Sequence, residues 1–171
     1  MIPKALRKFD INIKSLSNNK HDFSFIFLKD LFLFYDKSID LKNIKGKCDL
    51  TINKRDNMME MSFKIKGRVD LICDRSLKTF NYNVIKEENI IVKFGKLNEE
   101  INEEIISIKY NTAIFNISKY IYDFFLLSIP LKRLHPSLEN EDIIDTFVFS
   151  TKEVKSKKMD LRLALLKKIK R

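Results

Sequence analysis

Met59-Glu60-Met61-Ser62-Phe63-Lys64-Ile65-Lys66-Gly67-Arg68-Val69-Asp70-Leu71-Ile72-Cys73 holds the longest alternation of apolar and polar residues in the chain. Apolar side chains occupy alternate positions, at Met59, Met61, Phe63, Ile65, Val69, Leu71 and Cys73, with Gly67 in the middle of the series. Successive side chains of a strand point to opposite faces, so this period of two describes a half-buried strand. A glycine inside such a run marks a bulge or a close backbone approach, and a bend is expected there.

Upstream of it, Cys48, Leu50 and Ile52 alternate in the same way before the polar turn Lys54-Arg55-Asp56-Asn57. Further upstream Phe9, Ile11 and Ile13 share one face. Phe23, Phe25 and Phe27 repeat the pattern after the turn Ser17-Asn18-Asn19-Lys20, and a short helical segment is expected over 29–35. Downstream, strands fit 80–85, 89–94 and 104–110. The period changes near Ser118, which suits an N-cap, and Tyr120, Ile121, Phe124, Phe125, Leu126 and Leu127 follow at helical spacing until Pro130 stops the helix. Residues 137–150 hold four acids and no bases and read as an acidic loop. Asp160 is then a candidate N-cap for a helix over 161–169, with Leu161, Leu165 and Ile169 on one face. Lys167, Lys168, Lys170 and Arg171 crowd its end, where cations suit the helix dipole. The expected fold is α+β: a mostly antiparallel β-sheet with one or two packed helices and a basic C-terminal helix. Residues 1–150 are expected to form a single domain and 151–171 a basic helical tail.

The 171 residues are 44% hydrophobic with 14 Phe, enough for a core without disulfides or a structural metal. The most apolar stretch, 23–34, is about half of what a bilayer span needs and is split by Lys29 and Asp30. No apolar signal region follows Met1-Ile2-Pro3-Lys4, so the cytoplasm is the expected compartment and no membrane partner is expected. The net charge is +10, yet 26 of the 33 basic residues are Lys, and Gly and Ala number 3 each. That is a bias AT-rich codons produce, so part of the charge is attributable to composition. Its distribution is more telling: 151–171 carries nine basic and two acidic residues. Cys48 and Cys73 are too few for a disulfide framework.

Catalytic motifs are missing from the sequence. Glycines at 46, 67 and 95 cannot build a phosphate loop, a dinucleotide fingerprint or a nucleophile elbow. His21 and His135 have no neighbour at metal-ligand spacing. A Cys73–His135 catalytic pair competes with the commoner role of a lone cysteine as core filler. Glu99, Glu100, Glu103 and Glu104 suit a solvated turn better than a nuclease metal site. Neither enzymatic activity, a cofactor, a metal nor a small-molecule substrate is expected. For the basic tail two readings stand level: contact with RNA phosphates, or a solvated terminus whose leucine stripe docks on the sheet. A membrane-surface helix is weaker, since the segment is short and its apolar face lacks Trp and Phe.

Phe63-Lys64-Ile65-Lys66-Gly67-Arg68-Val69, Cys73-Asp74-Arg75-Ser76-Leu77 and Val92-Lys93-Phe94-Gly95 together resemble the YceD family of large ribosomal RNA subunit accumulation proteins. Tyr120-Ile121-Tyr122-Asp123, Leu127-Ser128-Ile129-Pro130-Leu131 and His135-Pro136 continue the resemblance in order. Asp160-Leu161-Arg162 with Leu165-Leu166-Lys167-Lys168 is similar to the family's closing helix. The Phe-Gly element and Lys132-Arg133-Leu134-His135-Pro136 look most like the version found in Bacteroidota. The resemblance implies a bacterial or plastid protein needed for normal 23S rRNA levels, with no known biochemical mechanism. It makes precursor 23S rRNA the leading partner, and a large-subunit ribosomal protein or an rRNA-processing enzyme, held by an adaptor, the alternative. The candidate binding residues are Arg75, Lys132, Arg133, His135, Lys157, Lys158, Arg162, Lys167 and Lys168. For Arg75 an ion pair with Asp70 or Asp74 is the competing role. In the adaptor alternative, the sheet's strand edge and the acids Glu139, Glu141, Asp142 and Asp145 would engage a basic protein. Two departures from the family pattern matter. Its Cys-x-x-Cys is reduced here to Cys73-Asp74-Arg75-Ser76, and His135 stands where some members have a later cysteine pair. One Cys and one His cannot close a four-ligand zinc site. Leu161 replaces the usual proline after the terminal aspartate, which leaves that helix start less rigid.

Overall fold

The computed structural model describes residues 4–138 except residue 103. The chain divides into two units, Met1–Pro136 and Ser137–Arg171, and every element below belongs to the first. The expected acidic loop beyond Leu138, the terminal helix over 161–169 and the expected boundary at 150 lie outside the described residues.

A six-stranded sheet in the order β2-β3-β4-β5-β7-β6 forms the body. Its strands are β2 (Lys20–Leu28), β3 (Lys42–Lys54), β4 (Met58–Ile72), β5 (Thr79–Gly95), β6 (Glu99–Glu100) and β7 (Ile105–Lys109). β2 to β5 form an antiparallel meander, and β5–β7 is the only parallel pair among the described residues. β1 (Asp10–Asn12) and β8 (Ile114–Asn116) form a separate two-stranded sheet. Two helices complete the fold, α1 (Lys29–Tyr35), where the sequence places it, and α2 (Ser118–Leu127). The α+β expectation holds.

The alternation from Met59 to Cys73 sets the core. Met59, Met61, Phe63, Ile65, Val69 and Leu71 are all buried, and so are Cys48, Leu50 and Ile52 on β3. α2 lays Ile121 and Phe125 on this face, while α1 contributes Leu31 and Phe32. Rings interlock where they meet: Phe125 stands edge-on to Phe32 at 5.0 Å and to Phe27 at 5.5 Å, and Phe124 edge-on to Phe63 at 5.3 Å.

Gly67 marks close approach here, and no bulge. It lies opposite Gly46 in an unbroken register, and Gly46 lies opposite Phe27. A Cβ at Gly67 would lie 2.9 Å from the Lys45 carbonyl oxygen and 3.0 Å from the Phe125 ring. At Gly46 it would lie 2.7 Å from the Lys66 carbonyl oxygen and strike the Phe27 ring. The two glycines open a lane in which the Phe27 and Phe125 rings sit down on bare backbone. The register irregularity falls instead between Lys42 and Lys45, where Asn43 has φ 53°.

Several local expectations change. β5 is one strand and not two, because the charges at Lys86, Glu87 and Glu88 find partners within β5 and on β4 without breaking the ladder. Lys86 pairs with Glu88 on the same face at 2.8 Å, and Glu87 pairs with Lys64 of β4 at 3.1 Å. The strand expected over 9–13 shortens to β1. The Asn12 side chain accepts from the Ser15 amide at 3.3 Å and turns the chain, a local bond that competes with the ladder. Phe9, Ile11 and Ile13 are nevertheless all buried. β8 has too few residues to show a period. At α2 the N-cap is Ile117, and Ser118 is the first helical residue, held by its amide to Asn116 Oδ1 at 3.0 Å and by its hydroxyl to the Tyr35 hydroxyl at 2.7 Å.

Candidate nucleic-acid interface

β4 ends at Ile72, and Cys73 opens the turn into β5. The Cys73 amide donates to the Lys78 carbonyl at 2.9 Å and the Leu77 amide to the Cys73 carbonyl at 2.9 Å. Four residues, Asp74 to Leu77, make the turn, and Leu77 closes it with φ 56°. After α2, Pro130 prevents further helix and the chain runs back to this turn. The Asp74 amide donates to the Arg133 carbonyl at 2.8 Å, and the Arg133 amide donates to Asp74 Oδ2 at 2.7 Å. The His135 amide reaches Cys73 Sγ at 3.3 Å, beside the Ser76 amide at 3.4 Å. These bonds clasp two segments far apart in sequence, bringing Arg75 to one end of the sheet with Lys132, Arg133 and His135.

The clasp sets the state of its sulfur. The Cys73 thiol is pulled down to about 7, first by the Ser76 hydroxyl beside it, against the opposing effect of burial, and then by the Ser76, His135 and Arg75 amides. Cys48, buried in β3 and next to Asp49, is pushed up to about 12 by desolvation and that neighbouring charge. Hydrogen-bond donors converging on a sulfur stabilise its thiolate. The residues here do not fit a four-ligand zinc site, and among the described residues no group of three or more His, Cys, Asp or Glu could hold a metal. His135 meets Cys73 through its main-chain amide, while its ring stands edge-on to Phe80 at 5.7 Å.

Arg75 and Lys132 are exposed and Arg133 and His135 half-buried. Asp70 accepts from Asn43 and Asn81, and Asp74 accepts from the Arg133 amide. Two leucines border the cations in full view of solvent, Leu77 at 77% exposure and Leu131 at 102%. Lys157, Lys158, Arg162, Lys167 and Lys168 lie outside the described residues. Counting charge along the chain overlooks a second basic group, on the solvent face of the sheet: Lys45 and Lys47 on β3, and Lys64, Lys66 and Arg68 on β4, all exposed. Its signal is present in the alternation Lys64-x-Lys66-x-Arg68, whose polar half shares one face.

Fold and clasp together define a small α+β protein whose mostly antiparallel sheet carries its core on one face and charge on the other. The family model described as large ribosomal RNA subunit accumulation protein YceD matches residues 61–170, and the chain belongs to that family. Membership implies a role in accumulation of large-subunit ribosomal RNA. No curated protein and no solved structure matches the chain. Among the described residues no helix is long and apolar enough to cross a membrane.

Proposed function

We propose that the chain is a non-enzymatic, cytoplasmic ribosome-biogenesis factor that supports 23S rRNA accumulation or processing by binding precursor large-subunit rRNA. The observation that carries this reading is the clasp in a chain of this family. Main-chain bonds gather Arg75, Lys132 and Arg133 at one end of the sheet, next to the exposed Leu77 and Leu131. Cations held on a rigid frame displace the counterions of phosphates without first being ordered, which favours both affinity and salt sensitivity. The tail residues Lys157, Lys158, Arg162, Lys167 and Lys168 add phosphate contacts to the same RNA, and a bound precursor is shielded from nucleases. Ultraviolet crosslinking of the tagged protein in cells, with high-salt washes, tests this. Reads concentrated on precursor 23S rRNA support it, and no RNA above background overturns it.

One observation favours a second reading, an adaptor for a basic ribosomal protein or a processing enzyme. In a chain of net charge +10, the groove between α2 and strands β5, β7 and β6 is mostly acidic. It measures about 590 Å³, with Glu88, Glu100, Glu104 and Asp123 and one cation, Lys119, paired to Glu100 at 3.6 Å, around a floor that includes Ile90 and Phe124. Burial pushes the Asp123 carboxyl up, opposed by Lys119 and reinforced by Glu100, and a further cationic side chain entering the groove would relieve that penalty. Glu100→Lys with Asp123→Asn should then abolish co-purification of a ribosomal protein and leave RNA crosslinking intact. Loss of both together would count against the adaptor.

A further inference from the structure

On the solvent face of β2 to β5 the register sets two adjacent rows. One reads Ile26, Lys47, Lys66, Ile85 and the next Leu28, Lys45, Arg68, Asn83. Four cations therefore form a two-by-two block at its centre, with partners across the strands about 5 Å apart and rows roughly 7 Å apart. Like charges directly opposite one another destabilise a sheet. Neighbouring acids offset it only in part: Asp49 interacts with Lys66 as well as Lys47, and Asp70 with Arg68 and Lys45. Lys47 pairs with Asp49 at 2.8 Å and Lys64, one row on, with Glu87 at 3.1 Å, but Lys45, Lys66 and Arg68 have no ion-pair partner among the described residues. Asp70, the nearest remaining acid, is held in its charged form first by hydrogen bonds from Asn43 and Asn81, with Arg68 and Lys45 contributing less.

We propose that this block, Lys45, Lys47, Lys66 and Arg68, is a docking surface for the sugar–phosphate backbone of double-helical RNA. The inference rests on the RNA-binding reading above and names a surface that reading does not use. The face itself selects the partner. Protein interfaces deplete lysine at their centre and enrich aromatic residues, whereas here lysine is central and, among the described residues, no aromatic side chain lies on this face of β2 to β5. Single-stranded RNA is held by bases stacked on aromatic rings, and this surface has none to offer. What remains is phosphate contact from the cations and hydroxyl contact from neutral groups such as Asn83, which suits a duplex recognised by shape. Exposed Ile26 (69%) and Ile85 (72%) flank the block and keep water from the lysine stems. Past Arg68 the strand leads into the turn that carries Arg75, so the block and the clasp lie toward the same end of β4.

The test is equilibrium binding of the full chain to a generic RNA duplex, to a single strand of equal length and to anionic phosphatidylserine vesicles, over a salt series. The wild type is compared with Lys45→Gln/Lys66→Gln/Arg68→Gln, and with Lys37→Glu after α1 as a control on the other side of the sheet. Neutral glutamines relieve the mutual repulsion of the block, and thermal unfolding verifies that the variant is folded. The expected result is duplex binding tighter than single-strand binding, weakened by about 30-fold or more in the triple variant. The slope of log affinity against log salt should fall by about 2–3, as loss of three phosphate contacts requires. Lys37→Glu should change binding less than threefold. Duplex binding with the same affinity and slope in the triple variant overturns this surface while leaving direct RNA binding standing. No wild-type binding to either RNA overturns both proposals. Preference for the single strand or for vesicles, lost in the same variant, overturns the assignment to duplex RNA.

Discussion

Cys48 and Cys73 both lie on the buried side of the sheet, and their surroundings drive them in opposite directions. In the folded chain the Cys73 thiol ionises near 7 and in the unfolded chain near 9.0, so between those values the unfolded state holds a proton that the folded state has lost. Stability from this group is therefore fully present above about pH 9 and lost as pH falls through about 7. Cys48 acts with the other sign, its contribution declining only as pH rises from 9.0 toward about 12, so the two do not cancel in the lower window. Urea unfolding from pH 6.5 to 9 is expected to show stability rising with pH, and Cys73→Ser, which accepts the same hydrogen bonds without ionising, is expected to remove that rise. An identical slope in both proteins would show that the thiolate is not what the amides hold. Leu77 in the same turn adopts a left-handed backbone that disfavours a branched side chain by about 1–2 kcal/mol, whereas glycine adopts it readily. Since glycine also loses more freedom on folding, Leu77→Gly should raise stability by about 0.5–1 kcal/mol, read as a higher melting temperature.

Packing of α2 depends on the lane at Gly46 and Gly67, which links a local property of two strands to the position of a helix. Phe125 is fully buried, and its loss to alanine should cost about 3–5 kcal/mol. Gly67→Ala places a methyl against both the Phe125 ring and the Lys45 carbonyl, and overpacking of this kind costs about 1–3 kcal/mol. If the ring supplies part of that clash, the double variant is less destabilised than the two singles summed, by at least about 0.5 kcal/mol in a double-mutant cycle. Strict additivity would show that the backbone carbonyl alone excludes the side chain. The sequence makes the strands of this element legible because Met59 to Leu71 alternate with a single interruption at Gly67, and α1 because its residues break that alternation. It does not reveal that Lys86 and Glu88 close on each other, so β5 reads as two strands, nor that β1 and β8 pair, since three residues carry no period. The candidate site is legible in composition and not in assembly. Cys73 and His135 stand 62 positions apart, and only the main-chain bonds that follow Pro130 bring Arg133 and His135 to the turn. Lys45, Lys47, Lys66 and Arg68 escape a tally of charge along the chain because they meet only through the register of β3 with β4.

Charge across the whole molecule is uneven in a way that separates possible partners. The groove lined by α2 is acidic, the solvent face of β3 and β4 is basic at its centre, and the last 21 residues carry a balance of +7 by sequence. Summed charge of this size steers a polyanion from a distance, but steering alone affects association rate and fades beyond a Debye length of about 8 Å at physiological salt. Contact is distinguished from steering by the equilibrium salt slope, because only phosphates neutralised in the complex release counterions. Lys167→Glu with Lys168→Glu should therefore weaken duplex RNA binding and flatten the slope by about 1–2 if both lysines meet phosphate. If tail and sheet face engage one RNA together, combining this pair with Lys45→Gln/Lys66→Gln/Arg68→Gln should reduce the slope by the sum of the separate reductions. Slower association at an unchanged equilibrium slope would confine the tail to steering and leave recognition to the folded body.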